Sequence, residues 1–154
     1  MTDLQTPVHG RIASGPEAER LARAAYDALL TDLAEVRGED WTRPTDCTGW
    51  TVRDMAGHLL GAARGHASLP QFTRQIVWGA RHKREYAGSA LDAMNAWQIG
   101  SVADLEADRV VAELRATAPR AVAARVRRAR TLGWVPVDID AAGSCRKACP
   151  RARR

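Results

Sequence analysis

Four histidines and three cysteines are the side chains of this 154-residue chain best suited to metal or nucleophilic chemistry. Of the histidines, His58 has the most informative setting. At about 100° per residue, the apolar stripe of the segment around it centres on Val52, Ala56, Leu59 and Ala63, and His58 falls about 120° from Val52. The ring therefore lies beside the core face. It either points into a cleft between helices, where bundles build metal sites, or is a half-buried imidazole bonded to a carbonyl or water. His66 cannot share a metal with His58. Eight residues on one straight helix separate them by about 12 Å, whereas two zinc-bound imidazole nitrogens each lie about 2.1 Å from the ion. His82 stands among Arg81, Lys83 and Arg84, which repel a cation, so solvation is expected there. His9 lies in a polar leader.

The cysteines offer less. Cys145 and Cys149 have a C-x3-C spacing, but no second ligand pair follows. Cys47 has neither a histidine near in sequence nor an oxyanion motif, which points to a loop thiol rather than a nucleophile. There is no glycine-rich phosphate loop, serine elbow or HExxH. Three cysteines without framework spacing fit a reduced, cytoplasmic setting. The first ten residues, MTDLQTPVHG, lack the basic start and apolar stretch of a signal peptide, and no apolar run approaches the ~18 residues of a membrane span.

Helices must position these groups. The chain is rich in alanine and arginine and poor in phenylalanine and tyrosine, a bias toward helix over sheet. A flexible leader is expected over 1–15. Pro16, Glu17 and Glu19 suit a helix N-terminus. Leu21, Ala25, Ala28, Leu29, Leu33 and Val36 then recur at helical spacing until Gly38. Residues 38–50 form a loop bracketed by Trp41 and Trp50. Thr51 and Asp54 approximate a capping box for a second helix that Pro70 closes. Its face comprises Val52, Met55, Ala56, Leu59, Ala63 and His66. Residues 71–88 are ambiguous, compatible with a helical turn or two within a long connection. A third helix starts near Ser89 and breaks around Gly100. The pattern resumes from Ser101 and Asp104 through Leu105, Val110, Val111, Leu114, Ala121, Val122 and Val126, with a kink or interruption expected at Pro119.

The net charge of +5 comes from the end of the chain. Five basic residues (Arg146, Lys147, Arg151, Arg153 and Arg154) fall in the last eleven positions, and without them 18 basic and 18 acidic side chains balance. The body thus has no basic face, which argues against nucleic acid as a partner. The irregular basic tail, 135–154, is the sole candidate for such binding.

The run Asp40 to Ala63, DWTRPTDCTGWTVRDMAGHLLGAA, resembles the start of the mycothiol-dependent maleylpyruvate isomerase family, within the DinB-like four-helix bundles. The matching residues are Trp41, Pro44, Thr45, Cys47, Gly49, Trp50, Thr51, Val52, Asp54 and His58. Asn95 and the Ser101–Leu114 segment resemble the next helix, so the likeness reaches from about Glu17 to Trp134. It implies an all-α, DinB-like up-down bundle over 16–134 and a divalent metal, usually zinc, with His58 as one ligand. It further implies mycothiol or a similar small-molecule thiol as cofactor and partner, in thiol-dependent isomerase or transferase chemistry where the metal favours the thiolate.

Family members commonly complete the site with an acid and a histidine four residues apart on a later helix, a spacing that lets both converge on one ion. Leu132 to Trp134 resembles the lead-in to that helix. No histidine follows His82, and Asp138 and Asp140 lack such a partner. The expectation is a fourth helix that is missing or degenerate, a site without its later ligands, and an apolar face left for a second copy or for poor solubility. Whether such a chain is an enzyme or a non-catalytic bundle without a tight metal site is open at this point. A shifted reading frame or degraded gene near Val135 explains the loss of pattern. Sequencing the locus is expected to reveal an alternative frame encoding an acid-x-x-x-histidine helix; without one the explanation fails.

Overall fold

The computed structural model describes residues 15–132. Within them the chain forms five α-helices: α1 (Gly15–Glu35), α2 (Val52–Ala67), α3 (Leu69–His82), α4 (Ala90–Gly100) and α5 (Ala107–Leu132). Two short 3-10 helices, Gly38–Thr42 and Lys83–Tyr86, follow α1 and α3. No strand occurs among the described residues, apart from a single bridge between Pro44 and Thr51. The all-α bundle expected from the sequence is what forms. Residues 1–14, the basic segment 135–154, His9, Cys145, Cys149 and the place where the later ligand helix was expected lie outside the described residues.

Helix α2 sits centrally, packed against α3, α4 and α5, while α1 packs on α5. Its start is fixed by a capping box. The Thr51 side chain accepts from the Asp54 amide at 3.1 Å, and the Asp54 carboxylate accepts the Thr51 amide at 2.9 Å. Each of these bonds satisfies a donor that the helix itself cannot. The core joins Leu30 and Leu33 of α1, Ala56, Leu60 and Ala63 of α2, Val102, and Val110, Val111, Leu114 and Ala121 of α5. Because α2 meets neighbours on three sides, its buried arc is wider than a one-sided stripe and takes in Leu60, which the sequence pattern omitted. Leu21, expected on the apolar face of α1, is 46% exposed. Contact between α1 and this core begins only at Tyr26.

Glycine sets the spacing around α2. Gly57, Gly61 and Gly65 recur every four residues and are all buried, so they line one face of the helix. A Cβ on Gly57 would lie 3.1 Å from a Val102 methyl, one on Gly61 2.6 Å from Gln98 Cβ and 2.9 Å from its Cα, and one on Gly65 2.6 Å from Gln75 Oε1. Side chains and backbone of α3 and α4 thus fill the space where side chains of α2 would stand. Between α3 and α4 the same device recurs at Gly79, where a Cβ would lie 2.5 Å from the Ala90 carbonyl oxygen. Across the α4–α5 turn, Arg53 reaches from α2 to donate to the carbonyls of Val102 and Leu105.

Three readings of the sequence change. Residues 71–88 are mostly helix, since α3 runs for 14 residues. Pro70 does not close α2; it stands in the first turn of α3, where a missing N–H costs nothing, behind the N-cap Ser68, which accepts from Gln71. Pro119 does not interrupt α5, which continues to Leu132. The proline is exposed, while Thr117, Ala118, Ala121 and Val122 around it are buried. Burial on both sides of the ring therefore outweighs a cost of about 3 kcal/mol for the lost bond.

The glycine seam yields a test. Gly61→Ala adds helix propensity of about 1 kcal/mol but drives a methyl into the α4 backbone, where overpacking costs about 1–3 kcal/mol. The expected outcome is a net loss of stability in urea denaturation, larger than for Gly57→Ala, whose methyl would lie 3.1 Å from a Val102 methyl and no closer than 3.8 Å to the neighbouring backbone.

Candidate metal site at His58

The loop before α2 is folded by its own backbone. Thr45 N–H donates to the Trp50 carbonyl at 2.9 Å and Val52 N–H to that of Arg43 at 3.0 Å. Trp50 N–H closes a turn onto Cys47 at 3.0 Å, and Gly49 sits in that turn with φ +82°, a conformation costly for any residue with a side chain. The result holds Trp50 against α2. Its indole meets the His58 ring at 5.1 Å between centroids, tilted by 53°. The two tryptophans that bracket the loop pin it at both ends, since Trp41 also packs against the core.

His58 is half-buried. Of its two ring nitrogens only Nδ1 is enclosed without a hydrogen bond of good geometry, and the other such buried side-chain atom among the described residues is Gln98 Oε1. Burial holds the His58 pKa below 6.5, and the amide of Gln98, close enough to accept from the ring, works in the opposite direction. His58 Nδ1 and Gln98 Oε1 are thus a ring nitrogen and an amide oxygen of neighbouring residues, both buried and both without a hydrogen-bond partner. At neutral pH the imidazole is uncharged and has a lone pair for a cation.

Gln98 belongs to a buried chain of amides. Its Nε2 donates to Gln75 Oε1 at 2.8 Å, and Gln75 Nε2 donates to the Gly61 carbonyl at 2.8 Å. Gln75 is 1% exposed and Gln98 3%. Neither residue stood out in the sequence. The available signal was a polar residue within each of α3 and α4 together with glycines every fourth residue on α2.

The other sequence candidates do not join His58. His66 faces Arg125 and Arg128 of α5, which with burial push its pKa down, and its ring stacks on Phe72 at 5.8 Å. Two cations beside it disfavour a third. His82, expected to be solvated, is half-buried instead: it stacks on Trp78 at 4.0 Å, and its Nδ1 lies 2.8 Å from the Trp78 carbonyl. A flat indole one helical turn away shelters the ring despite its charged neighbours. Cys47 is a half-buried loop thiol. Asp54, one helical turn before His58, spends its carboxylate on the Thr51 cap, accepting both its amide and its hydroxyl. Among the described residues no group of three or more His, Cys, Asp or Glu side chains converges on a point. Two surface clefts of about 610–620 Å³ lie elsewhere, one along the outer side of α3 with His82 in its lining and one between the end of α1 and the start of α5; His58 lines neither.

A helical bundle with this tryptophan-braced histidine following a W-x-x-P-T-x-C-x-G-W-T-V-x-D loop matches one family model, the mycothiol maleylpyruvate isomerase N-terminal domain, over residues 22–151. The chain belongs to this family. No curated protein and no solved structure matches it. In this family member the motif residues Thr45, Gly49, Trp50, Thr51 and Asp54 turn the loop and cap α2, and His58 is the one motif residue whose ring is held beside an unsatisfied amide.

Behind the site, α2 is tied to α5 by Arg64, whose guanidinium pairs with Glu113, itself also paired with Arg109 at 2.9 Å. The hydrogen bond from Arg64, helped by Arg109, holds the Glu113 carboxyl below its ordinary 4.5. A depressed carboxylate contributes stability that is complete above the ordinary value and disappears as pH falls through the folded one. The denaturation midpoint is therefore expected to fall on acidification below about pH 4.5. Glu113→Gln should be less stable than the parent at neutral pH and show a shallower acid slope; an unchanged slope contradicts this role.

Proposed function

We propose that this chain is a divalent-metal-binding domain of the mycothiol maleylpyruvate isomerase family in which His58 is the one assignable protein ligand, and that it does not by itself hold zinc tightly. The carrying observation is the state of His58, an imidazole whose pKa burial lowers, set against Trp50 and close to Gln98, and not part of any group of three or more His, Cys, Asp or Glu side chains among the described residues. Protein zinc sites use three or four such ligands. The described residues do not make up a complete centre.

The family name associates the fold with mycothiol, a small thiol, and with isomerase activity. We infer the same class of partner, a small-molecule thiol in a reducing, cytoplasmic compartment, for any activity this chain retains. The alternative is a non-catalytic bundle, and the lone imidazole favours it whenever no other polypeptide or thiol supplies the remaining ligands. Self-association is the further reading for the outer side of α3, where Leu69, Ile76 and Val77 are exposed. No helix of the described residues is long and apolar enough to cross a membrane.

Metal content decides between tight and weak binding. Purified chain dialysed against a chelator is expected to hold far less than one zinc per chain. Added zinc should bind weakly, and His58→Ala should abolish that binding. Stoichiometric zinc that survives the chelator would overturn the proposal.

A further inference from the structure

The chain of buried amides has a direction, and its open end is Gln98 Oε1. A backbone carbonyl can only accept. The Gln75 atom 2.8 Å from the Gly61 carbonyl is therefore its NH2, which turns Gln75 Oε1 toward Gln98. The Gln98 atom 2.8 Å from Gln75 Oε1 must in turn be its NH2, which leaves Gln98 Oε1 facing the other way. An amide cannot reverse here without placing oxygen against oxygen or NH2 against NH2. Both side chains are almost wholly enclosed, so water cannot relieve such a mismatch. The groove that admits them exists because Gly61 and Gly65 have no side chain.

At the end of this chain, Gln98 Oε1 and His58 Nδ1 are the two buried side-chain atoms among the described residues that still need a partner. One is an acceptor whose identity the chain has fixed; the other is a ring nitrogen that donates only if protonated. We propose that Gln98 is a positioning residue that holds neutral His58 as its Nδ1–H tautomer, directing the Nε2 lone pair away from the core as the site's ligand atom. Histidines that bind metals commonly give their second N–H to an oxygen acceptor, which fixes tautomer and ring orientation together. Here a glutamine from α4, polarised by a glutamine from α3 and a carbonyl of α2, serves as that acceptor, and Trp50 restrains the ring from its other side.

The tautomer part stands on the amide orientations that these hydrogen bonds fix and on the two buried atoms left without a partner; the ligand part rests on the metal reading of His58. Long-range ¹H–¹⁵N correlation of the histidine rings in the metal-free full chain, above pH 7.5, separates the two. The expected spectrum has His58 Nδ1 protonated and Nε2 bare, the reverse of the preference of an unconstrained neutral imidazole. Gln98→Met should return His58 to the Nε2–H form. Because that variant leaves Gln75 without its donor and could unfold, the parent spectrum is by itself decisive: an Nε2–H ring in the parent overturns the proposal.

Zinc chloride added to the same samples then reads the ligand part. Zinc should shift His58 Nε2 in the parent, and Gln98→Met should weaken that binding about 10- to 100-fold. An Nδ1–H ring whose Nε2 never responds to zinc leaves the positioning role in place and removes the metal reading. An equal response in parent and variant removes the link between Gln98 and binding.

Discussion

Everything near His58 depends on how closely α2 can approach α3 and α4. The three glycines on one face of α2 remove the side chains that would hold its neighbours away, and the space is taken by Val102, Gln98 and Gln75. Close approach in turn brings polar groups into a region without water. An unsatisfied buried donor or acceptor costs about 1–3 kcal/mol, so Gln75 and Gln98 are tolerable only because they bond to one another and to the Gly61 carbonyl. The seam thus selects one arrangement of three helices.

The loop that leads into α2 answers a second requirement, the orientation of one ring. Thr45, Cys47, Gly49 and Trp50 close a compact turn, Thr51 and Asp54 start the helix, and Trp50 is delivered onto His58. Most of the motif that marks the family is therefore concerned with backbone geometry. Its acidic residue, Asp54, is spent on the cap, and this leaves the imidazole without a carboxylate companion on its own helix.

Much of the bundle was legible in the sequence because its helices obey ordinary signals. The start of α2 was marked by Thr51, which caps as expected, and that of α4 was placed near Ser89, which proves to be its N-cap; α1 and α5 carried apolar periodicity. Helix α3 was not legible, for a physical reason. Its buried positions are Gln75 and Gly79, whereas Leu69, Ile76 and Val77 face outward, so hydrophobic periodicity points the wrong way. Pro70 compounded the error, since a proline reads equally well as the end of one helix and the beginning of the next. Of the candidate site, His58 was found from its position beside the core stripe and from the family motif. Gln98 was invisible, because it lies 40 residues further on and only the folding of α4 against α2 brings it to the ring.

The contact between Trp50 and His58 also gives the molecule an internal optical reporter. An indole about 5 Å from an imidazole loses fluorescence when that imidazole gains a proton, because the cation accepts an electron from the excited ring, and it changes again when the ring nitrogen is ligated. The same residue that braces the histidine thus converts its chemical state into light, in the native chain and without any attached probe.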